Sequence, residues 1–523
     1  MAYTEQYYLA IDLGTSGAKT ALISTFGDVL GWESEPIPLL VTPNGGAEQR
    51  PEDWTNAILT ASRRMLGKIS VPRESITAIC CSSQGEGTIP VDRNGQALTN
   101  CFLWMDMRGA EALRKRLKGF INVDGADLIK TLRWVGITGG MPSITGKDPA
   151  GHMLYIKEHM PAIYAKTYKF LNVLDYINLW LTGNYVATSD SILTSWVTDN
   201  RKSEKIRYHS GLQRMLGIDR EKFPDLVQCS DVIGELRPQI AEALGFSHKA
   251  HVVAGAIDNT ASAIGSGAVA DYETHMYIGT SSWMAAHVPF KKTDIGTRLA
   301  SVPCAIPNRY LMTALQATAG GNLTYLKDVL FHPLGTVDMP EKTVYQELDR
   351  IAAKSPAGSN GMLYTPWIWG ERAPVDDSHV RGALLNVSLS NKSEDAVRAV
   401  FEGVAYNTRW MLKPVESFLG RSIPWINFVG GGANSAVWAQ IFADVLQKPI
   451  RQVVNPIQAN ARGAAWIAAV GSGNIKFSEI SQIVKFQQIF EPNKATKEVY
   501  DDGFATFVEV YKRLSPLYKR LNP

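Results

Sequence analysis

Net charge, cysteine and long apolar runs are what this sequence has least of. Lys plus Arg number 53 and Asp plus Glu 50 in 523 residues, a formal balance of +3. On a surface of this size that is close to neutral. Polyanion-binding proteins gather their basic residues into a patch or stripe, so no nucleic-acid partner is expected. The five cysteines, Cys80, Cys81, Cys101, Cys229 and Cys304, are too few and scattered for a disulfide framework or zinc knuckle, and read as reduced, buried thiols. The nine histidines show no metal-ligand spacing. No stretch approaches the ~20 apolar residues that span a bilayer. Residues 1–6 carry an acid without a basic cluster, and the apolar run behind them breaks at Asp12. No secretory leader or membrane partner is expected, and the chain reads as cytoplasmic. An apolar share of 45% excludes wholesale disorder. At roughly 100–200 residues per domain the length suggests several units, each long enough to bury a core.

What is present is a succession of short apolar strands punctuated by polar, glycine-rich turns. A strand from Tyr7 to Leu13 leads into Gly14, Thr15 and Ser16, and the chain resumes as a strand near Thr20 to Ile23. This is a hairpin, not a strand feeding a helix. It therefore excludes the Gly-x-Gly-x-x-Gly and Gly-x-x-x-x-Gly-Lys-Ser/Thr sites, which need a helix behind the loop. Pro51, Glu52, Asp53 and Trp54 start a helix, with proline in the first turn and acids at its positive end. Residues 76–81 read as a buried strand opening into Ser82-Ser83-Gln84-Gly85-Glu86-Gly87. Loops at the carboxyl ends of strands are where open α/β sheets bind ligands. Residues 108–180 are mainly helical in pattern.

A boundary is expected near residue 250, dividing 1–249 from 250–523, with His251-Val252-Val253-Ala254-Gly255 opening a new strand. The second half echoes the first: a strand over 274–278 enters Gly279, Thr280, Ser281 and Ser282 and leaves from Trp283. A strand over 426–429 ends in Gly430, Gly431, Gly432, Ala433 and Asn434, with a helix behind it. Residues 461–470 form a small-residue helix suited to close packing. Phe504, Phe507, Val508, Tyr511, Leu514 and Leu517 share roughly one face of a closing helix.

Backbone N–H groups in such turns can converge on phosphate oxygens because no Cβ keeps the ligand away. One turn in each half, with the triple glycine, implies a nucleotide held in a cleft between domains. Asp12 interrupts an apolar strand immediately before the first turn. A buried acid there requires a partner, water or a metal, and Mg²⁺, which takes carboxylate and phosphate oxygens, suits it. Asp258 lies at a strand end and opens a small-residue helix. Phosphoryl transfer to an alcohol needs a carboxylate to accept the hydroxyl proton, and Asp258 is the candidate; an aspartate there also suits a helix cap.

These segments resemble the FGGY family of carbohydrate kinases. The resemblance is carried by Ala10-Ile11-Asp12-Leu13-Gly14-Thr15-Ser16, Leu103-Trp104-Met105-Asp106-Met107-Arg108 and Ala254-Gly255-Ala256-Ile257-Asp258-Asn259-Thr260. Gly279-Thr280-Ser281-Ser282, Ala319-Gly320-Gly321-Asn322 and Gly430-Gly431-Gly432-Ala433-Asn434-Ser435 extend it over nearly the whole chain. It implies an α/β fold of two ribonuclease-H-like domains, of the actin and hexokinase ATPase type, with a cleft between them. It implies ATP- and Mg²⁺-dependent phosphorylation of a small polyol or keto-sugar, with Asp258 as general base and Asp12 and Asp258 near the metal. Gly14, Thr15, Ser16 and Lys19 are then expected at the phosphates with Gly279, Thr280 and Ser281. Gly320, Gly321, Asn322, Gly431, Gly432 and Asn434 are expected at the nucleotide. Gln84, Gly85, Glu86, Asp106, Asp258 and Asn259 are expected at the sugar, with Trp104 as an apolar wall. A homodimer is a further family expectation.

Within the family the pattern is most similar to the xylulose kinases, which implies D-xylulose. The loop departs from their Gln-Met-His-Gly: Gln84-Gly85-Glu86-Gly87 puts a carboxylate, acceptor-only when ionised, where a histidine is usual. His152 and Tyr155 also stand where the family's Lys-x-x-Trp is expected. Ribulose, glycerol, erythritol, gluconate and autoinducer-2 are alternative substrates, and an actin-like ATPase that senses sugar is the non-kinase alternative. Each domain is expected to carry a five-stranded mixed sheet, with sugar against the N-terminal domain and ATP against the C-terminal one. The polar, aromatic loop of Trp367, Trp369, Arg372 and residues 376–379 leaves two roles open, contact with substrate or with a second subunit.

Overall fold

The hairpins expected around the Gly-Thr-Ser turns are the seeds of two mixed sheets in the computed structural model, which describes residues 5–123, 125–247, 249–331 and 341–522. The first sheet comprises β1 (Tyr7–Leu13), β2 (Gly17–Ser24), β3 (Val29–Pro36), β4 (Ile76–Ser83), β5 (Val232–Glu235) and β6 (His251–Ile257). Their order is β5-β6-β4-β1-β2-β3, with β1, β4 and β6 parallel. The second comprises β7 (Thr274–Ile278), β8 (Ser282–Val288), β9 (Thr293–Asp294), β10 (Leu299–Pro303), β11 (Tyr310–Gln316), β12 (Ile426–Val429), β13 (Ile450–Val453) and β14 (Phe486–Phe490). Here the order is β9-β10-β11-β8-β7-β12-β13-β14, with β7, β12 and β13 parallel. The β1–β2 and β7–β8 hairpins hold equivalent places, each pairing its first strand with a parallel neighbour.

Two expectations change. The sheets have six and eight strands rather than five. The strand over 251–257 does not open the second half: β6 lies parallel to β4 within the first sheet. Its apolar run fits between β4 and β5, where both faces are covered.

Alternation along β1 explains that covering. Leu9, Ile11 and Leu13 pack with Trp54, Ile58 and Met65 of α1 (Pro51–Lys68) and with Leu174 and Ile177 of α2 (Val173–Thr182). Tyr8 and Ala10 face the other way, onto Ala461, Ala464, Trp466 and Ala468. In the second sheet, Met276, Ile278 and Met284 pack beneath a long helix, Phe401 and Val404 among its residues, and the closing helix contributes Tyr500 and Phe507. Of the apolar face expected on that closing helix, Phe507 is buried and Leu517 is exposed. Trp367 is fully buried, with ring centroids 5.2 Å from Phe507 and 5.6 Å from Tyr511, whereas Trp369 is 80% exposed.

Two helices join the halves. The first, α3 (Asp258–Gly265), follows β6; the second, α4 (Ala459–Gly471), comes late in the chain yet packs on the first sheet. They cross backbone to backbone. A Cβ at Gly265 would lie 1.8 Å from the Ala459 carbonyl oxygen, and one at Gly463 would lie 1.9 Å from that of Ala261. Gly463→Ala is therefore expected to lower stability by about 3 kcal/mol through overpacking, measured as a fall in the urea midpoint at unchanged slope.

Candidate active site

Parallel strands end in register, so whatever follows them gathers at one edge. Asp12 pairs with Ser82 across β1 and β4, and Ile257 with Ser83 across β6 and β4. The Gly14 turn, the Gln84 loop and Asp258 are thus brought together. Thr15 Oγ1 donates to Gln84 Oε1 at 2.7 Å and accepts from Trp104 Nε1 at 3.1 Å. Gln49 closes the ring: its Nε2 donates to the Thr15 carbonyl at 2.7 Å, and its Oε1 accepts from Gln84 Nε2 at 3.2 Å. Gln49 had no signal in the sequence beyond lying before the Pro51 helix. Trp104, expected as an apolar wall, is half-buried and tied to this network through its indole N–H.

Asp12 is buried and forms an ion pair with Lys19, Nζ to Oδ2, at 2.8 Å. The Asp12 charge raises the Lys19 ammonium above its ordinary range. Lys19 faces Asp12 because the two sit opposite each other in the β1–β2 hairpin. Asp258 opens α3 and accepts the Asn259 N–H at 2.8 Å. Burial pushes its carboxyl up to about 7, with the Asp12 charge adding to the rise and the Asn259 hydrogen bond opposing it. Asn259, expected at the sugar, is half-buried beside it.

Asp106 departs from expectation. Its side chain is fully buried and accepts from Ala47 N at 3.0 Å, Arg108 N at 3.0 Å and Arg108 Nη2 at 2.6 Å, so its oxygens are occupied inside the domain. The resemblance implies a sugar contact at Asp106, and in sequence the pairing guanidinium, two residues on, gives no sign of turning back onto it. His152, where the family lysine is expected, is buried between Thr88 and the Asp106 carbonyl.

In the second half, β7 and β12 are parallel neighbours, with Tyr277 opposite Val429, so the Gly279 and Gly430 turns lie side by side. Gly320 N donates to the Gly279 carbonyl at 2.8 Å and Gly321 N to that of Thr280 at 3.0 Å, stacking a third turn on the first. Glycine is required at two of these points: a Cβ on Gly320 would lie 2.5 Å from Gly279 O, and Gly430 has φ 91°, where a Cβ would also lie 2.5 Å from Ile278 O. Gly431 faces open space, Gly432 packs over Ile278, and Asn434 is exposed with its amide on the Gly431 carbonyl. Thr280 is exposed and Ser281 half-buried. Asn322 is buried and spends both ends of its amide internally, on Ala319 O at 3.0 Å and the Tyr364 hydroxyl at 2.9 Å.

A cavity of about 400 Å³ lies between the halves. Asp12, Lys19, Gln84 and Asp258 line it from the first sheet's edge, Tyr277 from the second sheet, and Asn460 from α4. Tyr277 is held by stacking on Trp283, centroids 4.0 Å apart. Asn460 reaches across to Asp12, Nδ2 to Oδ1, at 3.3 Å, and its buried Oδ1 has no partner among the described residues. Nothing in the sequence singles out Asn460; only the crossing of α3 and α4 sets it here. Among the described residues no group of three or more His, Cys, Asp or Glu could hold a metal. Mg²⁺ is commonly held by one or two carboxylates together with substrate phosphates and waters. Asp12, Asp258 and the orphan amide oxygen of Asn460 fit that pattern.

Glu86 has a positive φ of 67° and carries four charged neighbours, Asp148, Arg372, Lys147 and Asp258. Burial, then Asp148, pushes its carboxyl well above the usual range, against the two cations. Burial raises Asp148 to about 6, opposed by hydrogen bonds from Ser143 N and Trp196 Nε1, both at 2.6 Å. Arg372 leaves a segment pinned by Glu371, whose Oε1 accepts Ala317 N at 2.9 Å and Arg372 N at 2.7 Å. From the loop whose role is open, Arg372 bears electrostatically on Glu86. Lys147 and Asp148, in a Thr-Gly-Lys-Asp-Pro turn, escaped the sequence reading because no spacing links them to Glu86.

Two ribonuclease-H-like ATPase domains facing a cleft of carboxylates and glycine turns define the class, a phosphotransferase scaffold. The chain belongs to the FGGY family of carbohydrate kinases: the family's N-terminal domain matches residues 7–265 and its C-terminal domain residues 275–472. It is an ATP-dependent carbohydrate or polyol kinase. A xylulose kinase of Bacillus subtilis (strain 168) is 29% identical over 98% of both chains. A gluconokinase of the same organism is 26% identical over 98% of this chain and 97% of its own. The crystal structure of a gluconate kinase from Lactobacillus acidophilus shares the fold, with a TM-score of 0.84 at 24% identity, covering 99% of this chain and 100% of that one. Among the described residues no helix is long and apolar enough to cross a membrane.

Arg108→Met would strand the buried Asp106 charge. It is expected to cost about 3 kcal/mol of stability while leaving the KM for the sugar little changed, read by urea unfolding beside steady-state kinetics.

Proposed function

We propose that the protein transfers the γ-phosphoryl group of ATP to a hydroxyl of a small keto-sugar, D-xylulose giving D-xylulose 5-phosphate, in the cytoplasm and with Mg²⁺. The observation that carries this reading is Asp258: a cleft carboxylate, tuned to about 7 and sharing its cavity with Asp12, Lys19 and Gln84. Asp258 accepts the proton of the attacking hydroxyl. Mg²⁺, when bound near Asp12 and Asp258, would neutralise charge on the phosphate oxygens. Lys19 and the backbone of the Gly14 and Gly279 turns stabilise the transferring phosphoryl group. Gln84 and Glu86 hold sugar hydroxyls, and closure of the halves over the cavity excludes water. The similarity to xylulose kinases over nearly the full chain supports the substrate choice.

One observation favours a second substrate. Lys147 and Arg372 have no ion-pair partner among the described residues, and both bear on Glu86. Two such cations suit a carboxylate, so a sugar acid such as gluconate is the alternative. Coupled ADP release across D-xylulose, D-ribulose, L-xylulose, L-ribulose, glycerol, erythritol, gluconate and autoinducer-2 decides between them. Selective turnover of D-xylulose supports the first reading, of gluconate the second, and hydrolysis of ATP that no acceptor accelerates overturns both.

Asp258→Asn is expected to abolish most turnover while sugar affinity persists, measured by calorimetry. Because the base works only when ionised, kcat/KM of the wild type should fall as pH drops through about 7. Arg372→Met and Lys147→Met are each expected to raise the KM for the sugar about tenfold, the loss of one charged hydrogen bond, with the KM for ATP unchanged.

A further inference from the structure

Asp190 takes no part in the cavity wall, yet it is tied to the residue at its centre. It is 1% exposed and belongs to the stretch between α2 and the first sheet's outer strands. Its Oδ2 accepts the N–H of Ile257 at 2.7 Å, and its Oδ1 accepts the hydroxyl of Thr260 at 2.8 Å. Ile257 immediately precedes Asp258 and caps α3, and Thr260 lies in the first turn of that helix. One side chain from elsewhere in the fold therefore grips the chain on both sides of Asp258.

The grip is itself anchored. Thr188 N donates to Ser191 Oγ at 3.0 Å, and Ser191 N donates to Thr188 Oγ1 at 2.9 Å, closing the turn that carries Asp190. Ser191 Oγ also donates to Asp175 Oδ1 at 2.6 Å, and Asp175 Oδ2 accepts Asn172 N at 3.0 Å at the start of α2. Through the Asp190–Ser191 peptide, two sets of buried hydrogen bonds tie the start of α2 to the start of α3. Asp258, by contrast, is held among the described residues by backbone N–H groups of its own turn, those of Asn259 and of Asp258 itself. Its direction into the cavity is therefore set by the backbone from 257 to 260, which also supplies these donors.

We propose that Asp190 is a positioning residue for phosphoryl transfer: by holding Ile257 and Thr260 it fixes the backbone from which Asp258 meets the acceptor hydroxyl. This rests on Asp258 being the base. Asp190 makes no contact with substrate, and no bond forms or breaks at it. Its contribution is orientation, where a displacement of about 1 Å can cost roughly a hundredfold in rate.

The test compares Asp190→Ala, Asp190→Asn and Thr260→Val in the full chain, with Asp258→Asn in parallel and the best acceptor of the panel as substrate. Asparagine can keep both contacts, its Oδ1 accepting from Ile257 N–H and its Nδ2 donating to the Thr260 hydroxyl. Asp190→Ala is expected to lower kcat about a hundredfold while KM for sugar and ATP stay near wild type, and Asp190→Asn to restore kcat to within a few fold of wild type. Thr260→Val, which removes one contact, should lower kcat about tenfold at unchanged KM. If Asp190→Ala does not fold, the Thr260→Val and Asp190→Asn pair decides. Wild-type kcat in Asp190→Ala or Thr260→Val, or parallel losses in kcat and both KM values, would overturn the proposal. Full turnover in Asp258→Asn would instead remove the base reading on which it rests.

Discussion

The backbone contact between α3 and α4 is the constraint from which the cleft follows. Glycine at 265 and 463 lets the helices approach until carbonyl oxygens stand where a Cβ would be. Both helices begin at the cleft, so their first residues are presented together: Asp258 from the first half, and Asn460 from far along the chain. Asn460 then reaches Asp12, and Trp466, further along α4, donates to the Thr25 carbonyl at 3.1 Å to hold the helix against the first sheet. The cavity thus has walls from both halves, joined by a helix pair whose spacing side chains could not reproduce.

Around that junction the protein concentrates carboxylates that burial makes reluctant to ionise. Asp258 and Asp190 are each raised to about 7 and Asp148 to about 6, in every case chiefly by desolvation. Such groups cost stability unless paired or hydrogen-bonded, and the structure pairs them unevenly. Asp12 has Lys19, Asp106 has Arg108, and Asp190 has two donors from the α3 start. Asp258 has backbone N–H groups of its own turn. The carboxylate expected to exchange a proton is held by its own local backbone, and those held from other elements fix geometry.

The chain's local chemistry was readable over much of the fold. The Gly-Thr-Ser hairpins, the Pro51 helix start, the strand over 426–429 and the small-residue helix near 461–470 all appear where periodicity and turn residues place them. The five cysteines are free and buried as expected. These features depend on neighbours within a few residues, so a linear reading captures them. Sheet membership did not yield to the same reading. Residues 251–257 are unmistakably a strand, but only the parallel slot beside β4 assigned it to the first sheet.

Residue type and motif spacing were enough to establish the family and the two-domain α/β architecture, and to mark the Gly14 turn that lines the cavity. Which acids face that cleft was decided by packing. Asp106 and Asn322 belong to recognisable motifs, yet Arg108, Ala47, Ala319 and Tyr364 consume their hydrogen-bonding capacity inside the domains. Lys147, Asp190, Arg372 and Asn460 belong to no motif, yet they surround Glu86, Asp258 and Asp12. Burial and pairing depend on what the folded chain brings within a few ångströms, and sequence separation carries no measure of that distance.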